Sequence, residues 1–269
     1  MRERDGQIAT RQEIGGTDSA VGLTLLFAAP LRPDAAALRA LSHACNGFSI
    51  SHDPSQSHVD GSEYPESGIG WLEVVADGLT FDLTGLAPDP GKSMPECAYR
   101  FDLAPGWDTK GLEAVRLIPG PHLIAGARMM PVVRAMAGLA ARLCALPGLM
   151  AVAWHPSRSC IGPRYFSSII ENWLEGGVFP GLGLVGLTSS ADGGLQTEGL
   201  AFFIGQELRI EPELAENRAS AAKIAVRLID RLIEHGSMNA PEVVTGSEGL
   251  VYQLEPSANG RFIRVWRGA

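Results

Sequence analysis

Short apolar segments of strand length alternate with amphipathic helical segments along most of this chain. Residues 22–29 and 149–154 are continuous apolar runs, which are typical of buried strands. Residues 70–76 and 79–83 flank the Asp-Gly pair at residues 77–78, a strong signal for a two-residue β-hairpin. The pattern predicts an α+β fold whose sheets are mixed and largely antiparallel.

About four helices are predicted among these strands. The clearest covers residues 213–235, in which apolar residues recur at intervals of three, four and seven positions. Proline opens the other three, because its fixed φ suits the first helical turn. They begin at Pro33, Pro131 and Pro163 and are expected to end near residues 45, 146 and 176.

The second half of the chain carries further strand-like segments. Residues 181–188, 200–204 and 207–210 are predicted as strands, and residues 249–254 and 262–266 as the two strands of another hairpin.

The length of 269 residues suits one large domain. We expect a polar N-terminal arm over residues 1–16 and a single α+β domain over residues 17–269. Sub-halves over 17–120 and 121–269 are an alternative, since each contains a strand followed by a proline-initiated helix. Such a pattern is what a distant internal duplication would leave.

Charge excludes some partners and suggests others. The formal net charge of −8 argues against a nucleic-acid binder, and no apolar run reaches the roughly 18 residues that span a membrane. Residues 53–113 carry twelve acids and three bases, whereas residues 114–170 carry six arginines and no acid. We interpret the two blocks as surfaces that attract each other within the fold. The alternative is that the arginines meet an anionic ligand or partner.

The four cysteines are Cys45, Cys97, Cys144 and Cys160, and no two of them form a C-x-x-C pair. In a chain of this length, such scattered cysteines indicate free, mostly buried thiols in a reducing compartment. We therefore expect a cytoplasmic protein.

The segment over residues 155–164 is the strongest candidate for a ligand site. It leaves a buried strand and enters a predicted helix, a junction where backbone N–H groups and the helix dipole favour anions. The candidate ligand-binding residues are His155, Ser157, Arg158, Ser159 and Arg164. Cys160 would be a nucleophile only if His155 reached it. The alternative is a plain loop with capping serines and with arginines that pair with the acidic block. No catalytic residue is assigned.

Two other motifs do not support a cofactor. Residues 181–186 match G-x-G-x-x-G, but no helix is predicted after them, so we expect a glycine-rich strand packed closely on a neighbour. A loop contains six potential metal ligands without a recognised ligand spacing, and we expect an ordinary polar loop there. These residues are His43, Cys45, His52, Asp53, His58 and Asp60. We predict no metal and no cofactor.

Four glutamates lie close together in the sequence before and at the start of the longest predicted helix. Paired carboxylates can perform acid–base chemistry, but Glu207 alternates with apolar residues and is expected on the exposed side of a strand. Glu211 and Glu213 are expected to favour the helix start through its dipole, and Glu198 completes the group.

The second half resembles a bacterial domain of unknown function, an uncharacterised family without an assigned activity, over about residues 125–255. The resemblance implies a cytoplasmic, single-domain bacterial protein and brings no catalytic residues. It rests on the segments at residues 136–141, 151–154, 165–166, 197–200, 205–208 and 233–236.

Two functional hypotheses follow. The first is a non-catalytic protein that binds a protein partner or serves as an accessory factor, with the acidic block as a docking surface. The alternative is a binding protein or enzyme for a small anionic ligand, with its pocket at residues 155–164. Neither hypothesis involves nucleic acid or a membrane.

Overall fold

The computed structural model describes residues 21–54, 70–246 and 249–268. Two mostly antiparallel sheets and the helices between them form an α+β fold, which confirms the predicted fold class. Four helices have ten or more residues: α1 (Ala35–Ala44), α2 (Met130–Leu143), α3 (Pro163–Leu174) and α7 (Arg218–His235). Three are shorter: α4 (Gly181–Leu184), α5 (Leu200–Ile204) and α6 (Pro212–Ala215).

The first sheet contains eight strands. They are β1 (Leu23–Ala28), β2 (Ser49–His52), β3 (Trp71–Ala76), β4 (Leu79–Thr84), β5 (Tyr99–Phe101), β6 (Leu112–Pro119), β7 (Leu149–Trp154) and β8 (Ser159–Ile161). Their spatial order is β2-β3-β4-β6-β1-β7-β8-β5, and the β5–β8 pair alone is parallel. The predicted hairpin joins β3 to β4, where Asp77 and Gly78 take φ values of 49° and 76°. A left-handed conformation at both turn residues matches the twist of the flanking strands.

The second sheet contains six strands. They are β9 (Gly186–Ser189), β10 (Leu195–Glu198), β11 (Glu207–Ile210), β12 (Glu242–Thr245), β13 (Val251–Pro256) and β14 (Phe262–Arg267). Their order is β12-β13-β14-β11-β10-β9, with β11 and β14 parallel and the other neighbours antiparallel. Strand β12 therefore forms one edge of this sheet and β9 forms the other.

One continuous hydrophobic core joins the two sheets. Helices α2 and α3 pack on the first sheet, and α5 and α7 pack on the second. Trp154 at the end of β7 meets Phe202 and Phe203 of α5, with ring centroids 5.6 and 6.3 Å apart. The alternative boundary between residues 120 and 121 divides the first sheet. Strands β1 to β6 precede this boundary in the sequence, and β7 and β8 follow it.

A separate, smaller apolar cluster covers part of the opposite face of the first sheet. The buried members Leu26, Ala114, Ala151, Ala153 and Cys160 lie on the strands. Residues Cys97, Leu103, Trp107 and Leu112 pack against them. The connection between β4 and β6 therefore crosses this face of the sheet and rests on a few small side chains.

Residues 200–204 form helix α5, so their prediction as a strand is wrong. The apolar run is short enough to suit either structure, and groups distant in sequence decide between them. Gly199 and Gly205 bracket the helix with φ values of 94° and 81°. The Glu207 carboxylate accepts hydrogen bonds from the N–H groups of residues 199, 200 and 201, which satisfies the start of this helix.

Two other boundaries differ from the prediction. Residues 181–188 divide into the short helix α4 and strand β9. The helix predicted over 213–235 is broken into α6 and α7. The Asn217 side chain caps the start of the second helix, because it accepts a hydrogen bond from the Ser220 N–H at 3.1 Å. Among the described residues, no helix is long and apolar enough to cross a membrane.

Candidate functional site

The predicted ligand segment does not pass directly from a strand into a helix. After β7, a turn of 3-10 helix at His155–Ser157 leads into strand β8, and α3 begins only at Pro163. The strand was missed because it has three residues and depends on pairing with β5 and β7. The candidate residues are consequently distributed between a turn, a strand and a helix.

His155 and the two serines make contacts within the protein. The His155 Nε2 atom lies 2.8 Å from the Thr24 Oγ1 atom, a pairing that resembles a nucleophile and its base. Thr24, however, is only 1% exposed, which leaves no room for a substrate at its hydroxyl group. Ser157 and Ser159 are fully buried and share a hydrogen bond of 2.8 Å. These contacts indicate that the three side chains stabilise the turn.

Arg158 is held by two carboxylates. It takes a left-handed conformation with φ of 52°, and its guanidinium forms ion pairs with Glu198 and Glu96. The Arg158 Nη2 atom donates to the Glu198 Oε2 atom at 2.8 Å. Hydrogen bonds from Arg158 lower the pKa of Glu198, and the same pairing raises the pKa of Arg158. Glu96 belongs to the acidic block, so Arg158 shows the charge pairing expected between the two blocks.

Tyr99 completes this arrangement. Its hydroxyl donates to the Glu198 Oε2 atom at 2.6 Å, and burial together with this hydrogen bond raises the pKa of Tyr99. The Tyr99 ring lies against Gly186, where a Cβ atom would come within 2.5 Å of it. We call Glu96, Tyr99, Arg158 and Glu198 the inter-sheet cluster. It connects β5 and the turn before β8 in the first sheet with β10 in the second.

Arg164 lies elsewhere. It is exposed in the first turn of α3. A Cβ atom added at Gly162, the residue before this helix, would lie 3.0 Å from the Asp102 Oδ2 atom, so the Asp102 carboxylate already faces the helix start. An anion would therefore meet a negative charge at this helix start. Four cavities among the described residues, of about 280 to 610 Å³, are lined by residues other than the five candidates. Anion binding at 155–164 remains a prediction, and this arrangement does not favour it.

The expectation of four free thiols is wrong for two of them. Cys97 and Cys160 form a disulfide, with their Cα atoms 5.4 Å apart. The parallel pairing of β5 with β8 brings them together across 63 residues, which spacing along the sequence does not reveal. Cys160 is therefore not a free nucleophile in this structure. Cys45 and Cys144 are free, and burial raises the pKa of the Cys144 thiol to about 12.

The potential ligands in the polar loop have other neighbours. Asp53 pairs with Arg39, and the His52 ring lies 5.2 Å from the Trp71 ring. His58 and Asp60 lie outside the described residues. The part of the chain that the structure describes contains no group of three or more side chains that could hold a metal ion.

The glutamates at residues 198–213 are separated by their contacts. Glu207 was expected to be exposed, but its carboxylate is mostly buried against Thr197 and α5, and this burial raises its pKa. Glu211 is buried between Arg209 and Arg264, at 3.2 and 2.6 Å. Glu213 accepts a hydrogen bond from the Arg267 N–H at 2.8 Å. Glu207 therefore stabilises a helix start, and the four carboxylates form no acid–base pair.

An open groove runs along α7 beside the second sheet. Two cavities of about 330 and 430 Å³ adjoin there and share Ile224 and Tyr252. The wall opposite α7 is formed by β12, the start of β13 and the chain after β14. Leu250 at this wall is 49% exposed, and Val243 on β12 is 66% exposed.

Strand β12 was not predicted from the sequence. Its residues Val243, Val244 and Thr245 are β-branched, and this was the available signal. The run is only four residues long, and the helix before it and residues 249–254 after it dominate the pattern.

Comparison with known proteins adds no constraint, because no family model, no curated protein and no solved structure matches this chain. The resemblance to a bacterial domain family stays a prediction.

Proposed function

We propose that this chain acts by binding a protein partner, which adds an extended segment to strand β12 beside the α7 groove. The observation that carries the proposal is that a short sheet edge with an exposed valine and no lysine lies next to an open groove. Val243 is the exposed valine of this edge, at 66%.

Edge strands carry rows of backbone N–H and C=O groups, and proteins usually protect them with lysine, proline or a bulge. Strand β12 pairs with β13 over four residues without a register shift, and it has no other neighbour among the described residues. Its sequence is Glu-Val-Val-Thr, which contains neither lysine nor proline. The strand therefore suits β-strand addition, in which main-chain hydrogen bonds supply much of the affinity.

The groove would determine which segments bind. Side chains of an added strand alternate between the two faces of the sheet, so every second one would point toward α7. The one acid of β12, Glu242, is already paired with Arg231 of α7. On β12 itself an incoming strand thus meets valine and threonine, whereas the α7 wall of the groove carries Arg227 and Glu234. We infer a partner segment that is rich in β-branched or aromatic residues.

The accessory role and the bacterial origin belong to the same proposal. So does the cytoplasmic compartment, which rests on the family resemblance and no longer on four free thiols. The small-anion alternative has weaker support, because Arg158 already contacts two carboxylates and Arg164 is exposed at a helix start that faces Asp102.

The test is a selection of random, strand-length peptides displayed on phage against the full chain. Selected peptides are expected to slow hydrogen exchange at residues 242–245 and to bind Val243→Lys at least about tenfold more weakly than wild type. Val178→Lys is the matched control, because Val178 is also 66% exposed but lies in the segment before α4. Peptides that protect another surface, or that bind both variants equally, would contradict the proposal.

A further inference from the structure

We infer that Cys97 and Cys160 form a reversible thiol–disulfide exchange site, in which a dithiol reductant attacks Cys97, and that the oxidised pair holds the inter-sheet cluster together.

The two sulfur atoms differ in their access to solvent. Cys160 is completely buried within β8, surrounded by leucine and alanine side chains of the smaller apolar cluster. Cys97 is only partly buried and precedes β5 at the end of the connection from β4. A reductant from solution therefore reaches the Cys97 sulfur first, and Cys160 is the leaving thiolate.

A dithiol supplies the two electrons that reduction of the Cys97–Cys160 disulfide requires. One thiolate of the dithiol attacks the Cys97 Sγ atom, the bond between the two protein sulfurs breaks, and Cys160 leaves as a thiolate that takes up a proton. The second thiol of the dithiol then attacks the mixed disulfide. Cys97 is released as a thiol, and the dithiol leaves as its cyclic disulfide, having supplied two electrons.

The residues beside the disulfide are those of the inter-sheet cluster. Glu96 precedes Cys97, Tyr99 follows it by two positions, and Arg158 lies two positions before Cys160. The backbone N–H groups of Ala98 and Tyr99 both donate to the Arg158 carbonyl, at 2.9 and 3.2 Å. The bond thus restrains both strands at the point where Glu96 and Tyr99 reach Arg158 and Glu198.

Apart from the inter-sheet cluster and the packing of Phe101 on the main core, few contacts fasten this segment to the sheet. Its apolar contacts on the covered face are Cys97 itself, Leu103, Trp107 and the start of β6 at Leu112. Reduction leaves these contacts and the hydrogen bonds of β5, which are few because the strand has only three residues. We therefore expect residues 96–101 to open locally much more often in the reduced protein.

The experiment compares untreated full-length protein with the same protein treated with dithiothreitol, by hydrogen exchange and mass spectrometry. The expected result is exchange at least about tenfold faster over residues 96–101 after reduction, at exchange times too short for global unfolding to expose β13 and β14. The double variant Cys45→Ser, Cys144→Ser is the matched control, since it removes both free thiols and should keep the full difference.

A second measurement tests the order of reaction. After reduction, a brief treatment of the folded protein with iodoacetamide should label Cys97 at least about tenfold faster than Cys160. Four free thiols in the untreated protein, equal exchange in both redox states, or earlier labelling of Cys160 would each overturn the inference.

Discussion

The two edge strands of the second sheet have opposite surroundings: β9 is covered by side chains of the first sheet, and β12 is exposed. At the β9 edge, Gly186 lies under the Tyr99 ring, and Glu198 of the neighbouring strand is bound by Arg158 and Tyr99 of the first sheet. At the β12 edge, Val243 is exposed and the pairing ends. The first edge is closed by charged and hydroxyl groups that contact one another, whereas the second combines exposed apolar side chains with open backbone groups.

This difference shows where charged and hydroxyl side chains of the first sheet make their contacts within the protein, namely at the β9 edge. Of the residues that the sequence suggested for an external ligand, Arg158 instead closes the β9 edge through its ion pair with Glu198. The surface available for a partner is the β12 edge, which carries no conspicuous motif. Four changes test this contrast, ordered by the expected loss of stability.

Loss of the disulfide should have the largest effect on stability, because it fastens the closed edge. For a sequence separation of 63 residues, chain entropy predicts a fall of roughly 4 kcal/mol in the free energy of unfolding. Urea unfolding with and without dithiothreitol measures it. The Cys45→Ser, Cys144→Ser variant should show the same fall, and identical urea midpoints in both redox states would contradict the prediction.

Gly186→Ala should open the closed edge by steric conflict. The new Cβ atom would lie 2.5 Å from the Tyr99 ring, which is held by its hydrogen bond to Glu198. We expect a loss of about 1–3 kcal/mol in the free energy of unfolding, measured by urea titration. Gly91→Ala is the control, since its nearest contact would be an ordinary 3.4 Å. Equal losses in both variants would contradict this account of the edge.

The Glu198 carboxylate should make the closed edge sensitive to acid. Arg158 lowers its folded-state pKa below the usual 4.5, so as the pH falls the unfolded chain takes up the proton first. Its stabilising contribution is complete above that usual value and is lost as the pH falls through the lower folded pKa. We expect the Glu198→Gln variant to lose less stability on acidification than the wild type. The difference in the free energy of unfolding should be less than about 1 kcal/mol, because the pair is partly exposed. Unfolding curves between about pH 6 and pH 3 measure it, and an unchanged pH dependence would argue against the pairing.

Val243→Lys should have the smallest effect on stability, because the side chain is exposed at the open edge. The free energy of unfolding should change by no more than about 0.5 kcal/mol, as for most surface substitutions. Thermal unfolding beside Val178→Lys checks this. A loss of several kcal/mol would mean that β12 is part of the structural core, contrary to its assignment as a binding edge.

Local signals in the sequence predicted much of the fold. Asp77-Gly78 defines its hairpin through turn conformation alone, and the run at 149–154 is long and apolar enough to identify β7. Helix α5 was missed because its capping carboxylate, Glu207, comes from the next strand. A short apolar run contains no information about such a partner.

The candidate site was harder to predict for the same reason. Arg158 and Glu198 are 40 residues apart, and only the register of two sheets brings them together. From the sequence, pairing of Arg158 with the acidic block is the favoured interpretation and an anionic ligand is the alternative. The β12 edge depends on which strands remain unpaired after folding, which is a property of the topology.

The most direct test of partner binding at β12 is site-specific photocrosslinking in living cells. A photoreactive phenylalanine analogue replaces Val243 in one strain and Val178 in another, since both positions are equally exposed at 66%. The account predicts a discrete protein adduct from position 243 that is absent from position 178. No adduct from position 243, or the same adducts from both positions, would contradict the claim that the open edge binds a partner.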